Sequence, residues 1–509
     1  MENVSRNKRL AKNTLMLYFR MIFIMLVSLY TSRVVLHTLG VVDYGIYNVV
    51  GGVVAMFGVI SGSLSAAVTR FLNFEIGKGN IANLPRVFSV SVTIHILLAI
   101  VVIILAELIG LWFIYNKMTI PIERINAAVI VFHFSVLTFC VNLISIPYNA
   151  CIIAHENMNV FAYISIVEVV LKLLIVYVLT LLPYDKLALY GILVFSVAVL
   201  IRCIYQIYCT RHYYESRYKF VLDKQLAKKI FGFTSWNVIG STSVILSDHG
   251  INILLNIFCN PIVNAARGIA MQVNTAINSF ASNFVMALNP QITQSFGAED
   301  FKRYKSLIFN GSRIACSLLT VISIPFIVYT DYVLDIWLVN VPEHAVAFVR
   351  LILFLSISES LSHTLTTGLL STGKIKVLQI LIGGMRMLNF PISYIVLYLY
   401  NIPEWTIIIA IIISQINIAI RLKLLKKYIQ FRYREFYVDI LLSQSICIMI
   451  PLIAGFYLHS VLQENFIIFI LVSMSIVVIS LLSLFIINCN KDEKFLIRNK
   501  LVELKNKYL

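Results

Sequence analysis

The chain has 509 residues, of which 60% are hydrophobic and 13% charged. Soluble globular proteins average about 45–50% apolar and about 25% charged, so this composition excludes a soluble enzyme and indicates a membrane protein with many spans. The net charge of +17, from 41 basic and 24 acidic residues, would suggest nucleic acid in a soluble protein, but here the basic residues fall in short loops between apolar runs, where they set orientation, and no nucleic-acid partner is expected.

Apolar runs fall near 14–36, 46–72, 88–114, 125–150, 160–182 and 187–208. They resume near 233–256, 268–294, 311–330, 346–368, 376–400 and 402–425, and again at 438–460 and 465–488. The pattern predicts an all-α polytopic membrane protein with about 14 transmembrane helices. Two six-helix lobes cover 1–208 and 233–425, with a basic cytoplasmic connector at 209–232 between them. A second basic connector at 426–437 leads to two C-terminal spans in 438–488 and a basic cytoplasmic tail at 489–509. The first run carries Arg20 and lacks a small-residue cleavage site, so it reads as a span and not a signal peptide. With the N-terminus inside, the outer loops carry only Lys117, Arg124, Lys186 and Arg267. Most other basic residues lie in inner segments, which places both termini and both connectors in the cytoplasm. The connectors, aromatic as well as basic, read as solvated linkers drawn to anionic lipid. The eight cysteines are scattered, none in a C-x-x-C pair, and most sit in apolar runs as small hydrophobes, so neither a disulfide framework nor a metal site is expected.

The stretch 32–79 reads as two helices joined by a tight outer turn at 39–47. Gly51, Gly52, Gly58 and Gly62 would let a neighbouring helix approach closely. A faint second copy lies 220 residues on, with Gly40 on Asn260, Val53 on Val273 and Gly77 on Gly297. Residues 154–160 match 371–377 at a shift of 217. Two matches at nearly one offset suggest a duplicated chain. Six spans return the chain to its starting side, so the copies would be parallel repeats related by a pseudo-twofold axis along the membrane normal.

No phosphate-cradling glycine loop, H-E-x-x-H or G-x-S-x-G occurs, and no outer loop is long enough for an active-site domain. The informative residues are polar ones within spans, where charge is expensive and faces a cavity or a partner. Arg20 shares a helical face with Asn13, and Arg70 lies near the inner end of the second span. An arginine fork suits phosphate oxygens, so Arg20, Arg70 and Asn13 form a candidate diphosphate clamp, with snorkelling to lipid phosphate as the alternative. Arg33, at the outer end of the first span, fits snorkelling better. The seventh span carries Asn237, Ser241, Asp248 and Asn252 on one face, and the eighth carries Asn274, Asn278, Ser282 and Asn289. These stripes would line a water-filled path that hydrogen-bonds sugar hydroxyls; interhelical hydrogen bonding is the alternative. Glu359 and His363 stand one turn apart on the tenth span. With Asp248 they are the candidates for ion coupling, since histidine titrates near neutral pH, with a satisfied polar contact as the favoured alternative for Glu359 and His363.

Three segments resemble bacterial polysaccharide flippases. They are Leu39-Gly40-Val41-Val42-Asp43-Tyr44-Gly45-Ile46-Tyr47, Arg70-Phe71-Leu72-Asn73-Phe74-Glu75-Ile76-Gly77-Lys78-Gly79, and Pro147-Tyr148-Asn149-Ala150-Cys151-Ile152-Ile153-Ala154-His155-Glu156-Asn157-Met158-Asn159. These are the O-antigen (lipopolysaccharide) and capsule flippases of the multidrug/oligosaccharidyl-lipid/polysaccharide exporter superfamily. The resemblance covers essentially the whole chain. It implies a MATE-like fold, two six-helix lobes around a central cavity with two extra helices. It also implies export of an undecaprenyl-diphosphate-linked oligosaccharide across the bacterial inner membrane, with Arg20, Arg33 and Arg70 as candidates for a cationic cavity. Partners are then the lipid-linked oligosaccharide, membrane lipids and other polysaccharide assembly proteins. No cofactor is expected; coupling would be to a proton or sodium gradient or to the membrane potential. A multidrug or peptidoglycan lipid-precursor exporter of the same fold is the alternative. A membrane polysaccharide polymerase or ligase is the alternative of another class.

Overall fold

The computed structural model describes residues 2–488 apart from 56, 117–119, 222, 260, 339, 463 and 464, together with 494. The predicted tail at 489–509 therefore lies outside the described residues except for Lys494, and Lys117 of the outer loops lies outside them too. The described residues are helical, in fourteen long elements. They are α1 (Glu2–Ala55), α2 (Gly58–Gly77), α3 (Ile81–Asn116), α4 (Ile122–Ala154), α5 (Met158–Leu181), α6 (Lys186–His212) and α7 (Lys224–Phe258). Then come α8 (Pro261–Gly297), α9 (Phe301–Val328), α10 (Ala345–Ser371), α11 (Lys376–Tyr400), α12 (Trp405–Leu425), α13 (Tyr433–Val461) and α14 (Phe466–Asn488).

Among the described residues, twelve helices are long and apolar enough to cross a membrane. The stretches that miss this mark hold the second and eighth predicted spans. Their glycines, serines and amides lower their hydropathy, as expected of helices that lean on protein instead of lipid. Lipid-facing surface is plain elsewhere. On α14, Ile467, Leu471, Met474 and Val478 are each more than half exposed. Their spacing of 4, 3 and 4 makes one continuous apolar stripe.

The predicted outer turn at 39–47 is shorter than the sequence suggested. α1 runs helically on both sides of Gly40 and breaks there alone, at φ 78° and ψ 168°. Only glycine takes that conformation without cost, so a single residue suffices. At the equivalent place in the second copy, α7 ends at Phe258 and α8 opens with Pro261, whose missing N–H costs nothing in a first turn. The predicted close helix approach at Gly51, Gly58 and Gly62 is not observed. A Cβ added at any of them would meet nothing within 4 Å. Gly51 and Gly58 instead line a cavity of about 250 Å³ with Tyr47, Phe139 and Asn142; the side chain environment of Gly52 is outside the description.

The helices cluster into two compact units. Unit 1 is the chain up to Thr242 with Met286–Asp300 and Leu370–Lys376; unit 2 is Ser243–Val285, Phe301–Leu369 and the chain from Val377 on. The core of unit 1 packs α3, α4 and α6 through Phe88, Tyr148, Ile201 and Tyr205. In unit 2, Ile324 and Val328 of α9 pack against Val472 and Ile476 of α14. The connector at 209–232 is not a free linker. α6 continues to His212, a turn at Tyr214–Ser216 follows, and α7 starts at Lys224. Tyr213, Glu215 and Ser216 are buried. Burial works against a charge on Glu215. Hydrogen bonds from His155 and from its own backbone N–H outweigh this and hold the carboxyl below the usual carboxylate range.

The duplication is written in the backbone. After α2, Lys78 N–H donates to Phe74 O, Gly79 N–H to Ile76 O and Asn80 N–H to Glu75 O. After α8, Ala298 donates to Gln294, Glu299 to Phe296 and Asp300 to Ser295. Every donor and acceptor is shifted by 220. Gly79 and Glu299 both have positive φ, 70° and 59°. The second match behaves alike. Glu156 N–H donates to Ile153 O and Gly373 N–H to Leu370 O, a shift of 217, and φ is 56° and 74° at the two residues. All four are left-handed helix caps, and two of them are glutamates, where the conformation is uncommon.

Candidate functional site

These four capped helix ends all lie in unit 1 and carry a polar cluster. Gly77 and Gly297, equivalent in the two copies, sit at one helix crossing. A Cβ on Gly297 would lie 2.5 Å from Phe74 O, and one on Gly77 would lie 2.7 Å from Gln294 Cα. Residues 74 and 294 are themselves related by 220, so the contact is locally symmetric. Around the crossing, Gln294 Nε2 donates to Asn73 Oδ1 at 3.1 Å and to Ala154 O at 2.8 Å. Gln291 Nε2 donates to the Glu156 carboxylate at 3.2 Å, and Arg9 pairs with the same carboxylate at 3.5 Å. These partners account for Glu156 holding a left-handed cap: both its charge and its carbonyl are used.

Two predicted site residues belong to this cluster, in roles other than the expected ones. Asn13 is buried and donates to Glu156 O at 3.0 Å. Arg70 sends Nε and Nη2 to Ser371 O, both at 3.1 Å. Its guanidinium also lies 4.7 Å and 4.6 Å from the ring centres of Phe71 and Phe74. The expected diphosphate clamp of Arg70 with Arg20 is thus replaced, for Arg70, by a backbone clamp. Arg20 lies 4.5 Å over the Phe161 ring, and its Nε finds no acceptor among the described residues. Arg33 is exposed. None of the three arginines lines either of the two cavities described here.

Unit 2 contains the more polar cavity, of about 220 Å³. It gathers Asp248 from α7, Arg267 and Asn274 from α8, Ser356 and Glu359 from α10, Arg386 and Asn389 from α11, and Asn417 from α12. Asn274 is therefore where the sequence put it, with Ser356 Oγ donating to its Oδ1. Asn278 does not line this cavity; its Oδ1 is buried without a partner among the described residues. The polar face of α7 serves both readings at once. Asp248 lines the cavity, while Asn252 accepts from Arg267.

The ion-coupling candidates are not free carboxylates. Asp248 pairs with Arg267 at 3.6 Å, and Glu359 accepts from Arg386 Nη2 at 2.6 Å. Sequence reasoning missed both arginines as site residues: Arg267 counts there as an outer-loop charge, and Arg386 has no assigned role. Helical spacing finds partners on one helix and is blind to partners on another. His363 is adjacent but does not line the cavity, and its Nε2 has no partner among the described residues. Arg421, also unforeseen, is buried, with Nε on Thr366 Oγ1 at 2.9 Å and Nη1 on Ser362 Oγ at 3.4 Å. The cavity thus holds two guanidiniums, at 267 and 386, against two carboxylates, at 248 and 359, and Arg421 lies outside its lining.

With this geometry in hand, comparison with known proteins decides the family. Residues 10–296, more than half the chain, match the family model described as polysaccharide biosynthesis protein. The chain belongs to the polysaccharide biosynthesis protein family. Residues 249–395 also match the MatE family model. A MATE structure in its straight conformation superposes with a TM-score of 0.72 at 10% identity, covering 83% of this chain and 96% of that one. A Vibrio cholerae MATE transporter in the bent form gives 0.66 at 16% identity, covering 83% and 99%. A MOP-superfamily transporter from Pyrococcus furiosus, described for the reversed polarity of its binding pocket, gives 0.69 at 10% identity, covering 82% and 96%. At these identities the likeness shows the fold, which is that of the MATE transporters. None of the curated proteins matches the chain. The family matches and the fold are those of a multi-pass membrane protein, and the structural neighbours are transporters, not enzymes.

Proposed function

We propose that this transporter flips an undecaprenyl-diphosphate-linked oligosaccharide from the cytoplasmic to the periplasmic leaflet of the bacterial inner membrane by alternating access, with both termini in the cytoplasm. The observation that carries the reading is the unit 2 cavity, where Arg267 and Arg386 face Asp248 and Glu359 among asparagines and serines. Two guanidinium forks, each released when its carboxylate is neutralised, suit the phosphate oxygens of an anionic head group. The amides and hydroxyls suit sugar. A dry cavity of about 150 Å³ holds a benzene molecule, so one of about 220 Å³ admits a sugar ring at a time.

The ion pairs give the site a way to couple transport to an ion. Glu359 and Asp248 hold Arg386 and Arg267 extended until a diphosphate competes for the guanidiniums. A carboxylate so released carries an unpaired charge in a membrane interior, which is costly, and a proton or sodium ion neutralises it. No cofactor takes part in this scheme. Arg20 and Arg70, engaged with Phe161 and Ser371, then act in gating and not in head-group recognition.

The test compares Arg386→Ala with Arg20→Ala in the native host, reading surface polysaccharide and lipid-linked oligosaccharide in the membrane. Losing a charged hydrogen bond costs about 1.5–3 kcal/mol, so Arg386→Ala should cut export by roughly tenfold to a hundredfold at normal abundance. Lipid-linked oligosaccharide should accumulate. Full export by Arg386→Ala with loss in Arg20→Ala would return the head group to α1. Full export by both would remove the anionic head-group reading.

A further inference from the structure

The strongest unassigned feature lies at the end of α4. Cys151 and His155 stand one helical turn apart there, and the chain returns beside them with Cys209 on α6 and Glu215 in the turn Tyr214–Ser216. The donor atoms of Cys151, His155 and Glu215 all lie within 4.8 Å of one another. Cys151 Sγ is 3.7 Å from Glu215 Oε1, and His155 Nε2 is hydrogen-bonded to the same oxygen. The Cys209 thiol adjoins Cys151 within hydrogen-bond reach and sits 3.5 Å from Tyr148 O.

We infer that Cys151, His155 and Glu215 bind a zinc ion; Cys209, beside Cys151 with its thiol on Tyr148 O, would turn from that carbonyl to take the fourth position. Zinc takes thiolate at about 2.3 Å and imidazole or carboxylate at about 2.0–2.2 Å, which puts ligand atoms roughly 3.5 Å apart in a tetrahedron. The Cys151 to Glu215 separation already fits. Two thiolates with an imidazole select zinc over magnesium or calcium, which prefer oxygen. The imidazole is held in place before any metal arrives. Its ring stacks on Tyr213 at 4.3 Å with 9° between planes, and Asn157 Nδ2 donates to the Tyr213 hydroxyl at 2.5 Å.

A plain hydrogen-bonded cluster is a poorer account. Glu215 is buried, yet among the described residues no lysine or arginine pairs with it. The buried Cys151 thiol meets this carboxylate, and a thiol is a weak donor. A divalent cation would satisfy all four groups together. Binding releases the two thiol protons, so affinity rises with pH. The orientation proposed above puts the cluster on the cytoplasmic side, where thiols stay reduced and available. The ion would pin the start of 209–232 to the end of α4. The expectation of no metal site rested on C-x-x-C spacing, and this cluster is assembled instead from two segments about 60 residues apart.

The test uses the full-length protein, purified in detergent without chelator from zinc-supplemented cells, with metal measured by plasma mass spectrometry. One zinc per chain is expected in the wild type and in Cys203→Ser, whose exposed cysteine lies outside the cluster. Cys151→Ser and His155→Ala should lose it. Glu215→Gln keeps the shape of the site and should weaken zinc binding by at least about tenfold. Titration with Co2+ should give a thiolate-to-metal absorption band in the wild type that Cys151→Ser lacks. Wild-type protein without zinc that also gives no band with Co2+ overturns the site. So does a Cys151–Cys209 disulfide, found by peptide mass spectrometry, in protein that binds no metal.

Discussion

The Gly77–Gly297 crossing invites the most direct perturbation. Ordinary carbon contact begins near 3.4 Å, and a Cβ on Gly297 would sit 2.5 Å from Phe74 O. Gly297→Ala therefore demands a retreat of about 0.9 Å between two backbones that cannot rotate out of the way. Overpacking of this kind costs about 1–3 kcal/mol. Transport by alternating access needs the helix ends to part in one state and close in another. A cost of about 2 kcal/mol falling only on the closed state shifts that balance roughly thirtyfold towards the open one.

The assay is a disulfide reporter at Lys78→Cys and Ala298→Cys on a cysteine-free background, beside the crossing. Crosslinking should be efficient in the parent and fall many-fold with Gly297→Ala or Gly77→Ala, and export should fall with it. Gly62→Ala is the control, because its Cβ meets nothing within 4 Å and alanine favours a helix by about 0.5–1 kcal/mol. It should leave both readouts unchanged. Unchanged crosslinking and full export by Gly297→Ala at normal abundance would refute the argument that this contact is a closed gate.

Three further outcomes follow from other contacts. Arg70→Lys replaces a fork that bonds Ser371 O twice with a point charge; it should lower export several-fold, and Gly373→Ala, whose Cβ would lie 2.7 Å from Arg70 Nη2, should reproduce the defect. At the other end of unit 1, burial opposes the charge of Asp185, but the Ala188 N–H and Arg124 outweigh it and hold the carboxyl below its usual range. Its stabilisation is complete above about pH 4 and is lost as pH falls through the lowered pKa, so thermal melting of Asp185→Asn should depend less on acid, with a cost under about 1 kcal/mol at neutral pH. Single cysteines at Arg217 and Lys427 should resist an impermeant thiol reagent in intact cells; labelling of both would reverse the topology.

The sequence made the helices legible because each needs only a local signal, an apolar run of sufficient length. It also made the duplication legible at the few positions where backbone geometry constrains the residue, such as Gly77 with Gly297. The site was harder to read. Asn274, Asp248 and Glu359 line the predicted polar cavity, since amides and carboxylates are conspicuous among leucines. What each charge does depends on its partner, and the partners come from other helices. Glu359 meets Arg386 from α11, and Arg70 meets Ser371 more than three hundred residues away. Gly51 and Gly58 were misread for the same reason: a glycine on a helix marks either a close neighbour or an empty space, and only the structure shows which.

The two copies also show which property the duplication kept. The caps at Gly79 and Glu299, and at Glu156 and Gly373, share φ and hydrogen bonds while exchanging glycine for glutamate in opposite senses. Backbone geometry was retained and side-chain chemistry was released. The consequences differ between copies. Glu156 carries a carboxylate that recruits Arg9 and Gln291, whereas its counterpart Gly373 leaves room that the Arg70 guanidinium fills. In the other pair, Gly79 has nothing within 4 Å of a would-be Cβ. A parallel repeat gives both halves the same hinge-like helix ends, as rocking requires. The substrate has no such symmetry, with a diphosphate at one end and sugar at the other. The charged cavity accordingly lies in unit 2, with its two ion pairs. The unit 1 cavity, lined by Tyr47, Gly51, Phe139 and Asn142, carries no charge. Moving Arg386-like charge into that cavity, by Asn142→Arg, should therefore impair export without restoring an Arg386→Ala variant; restoration would mean that the two cavities are interchangeable and that the asymmetry has no role.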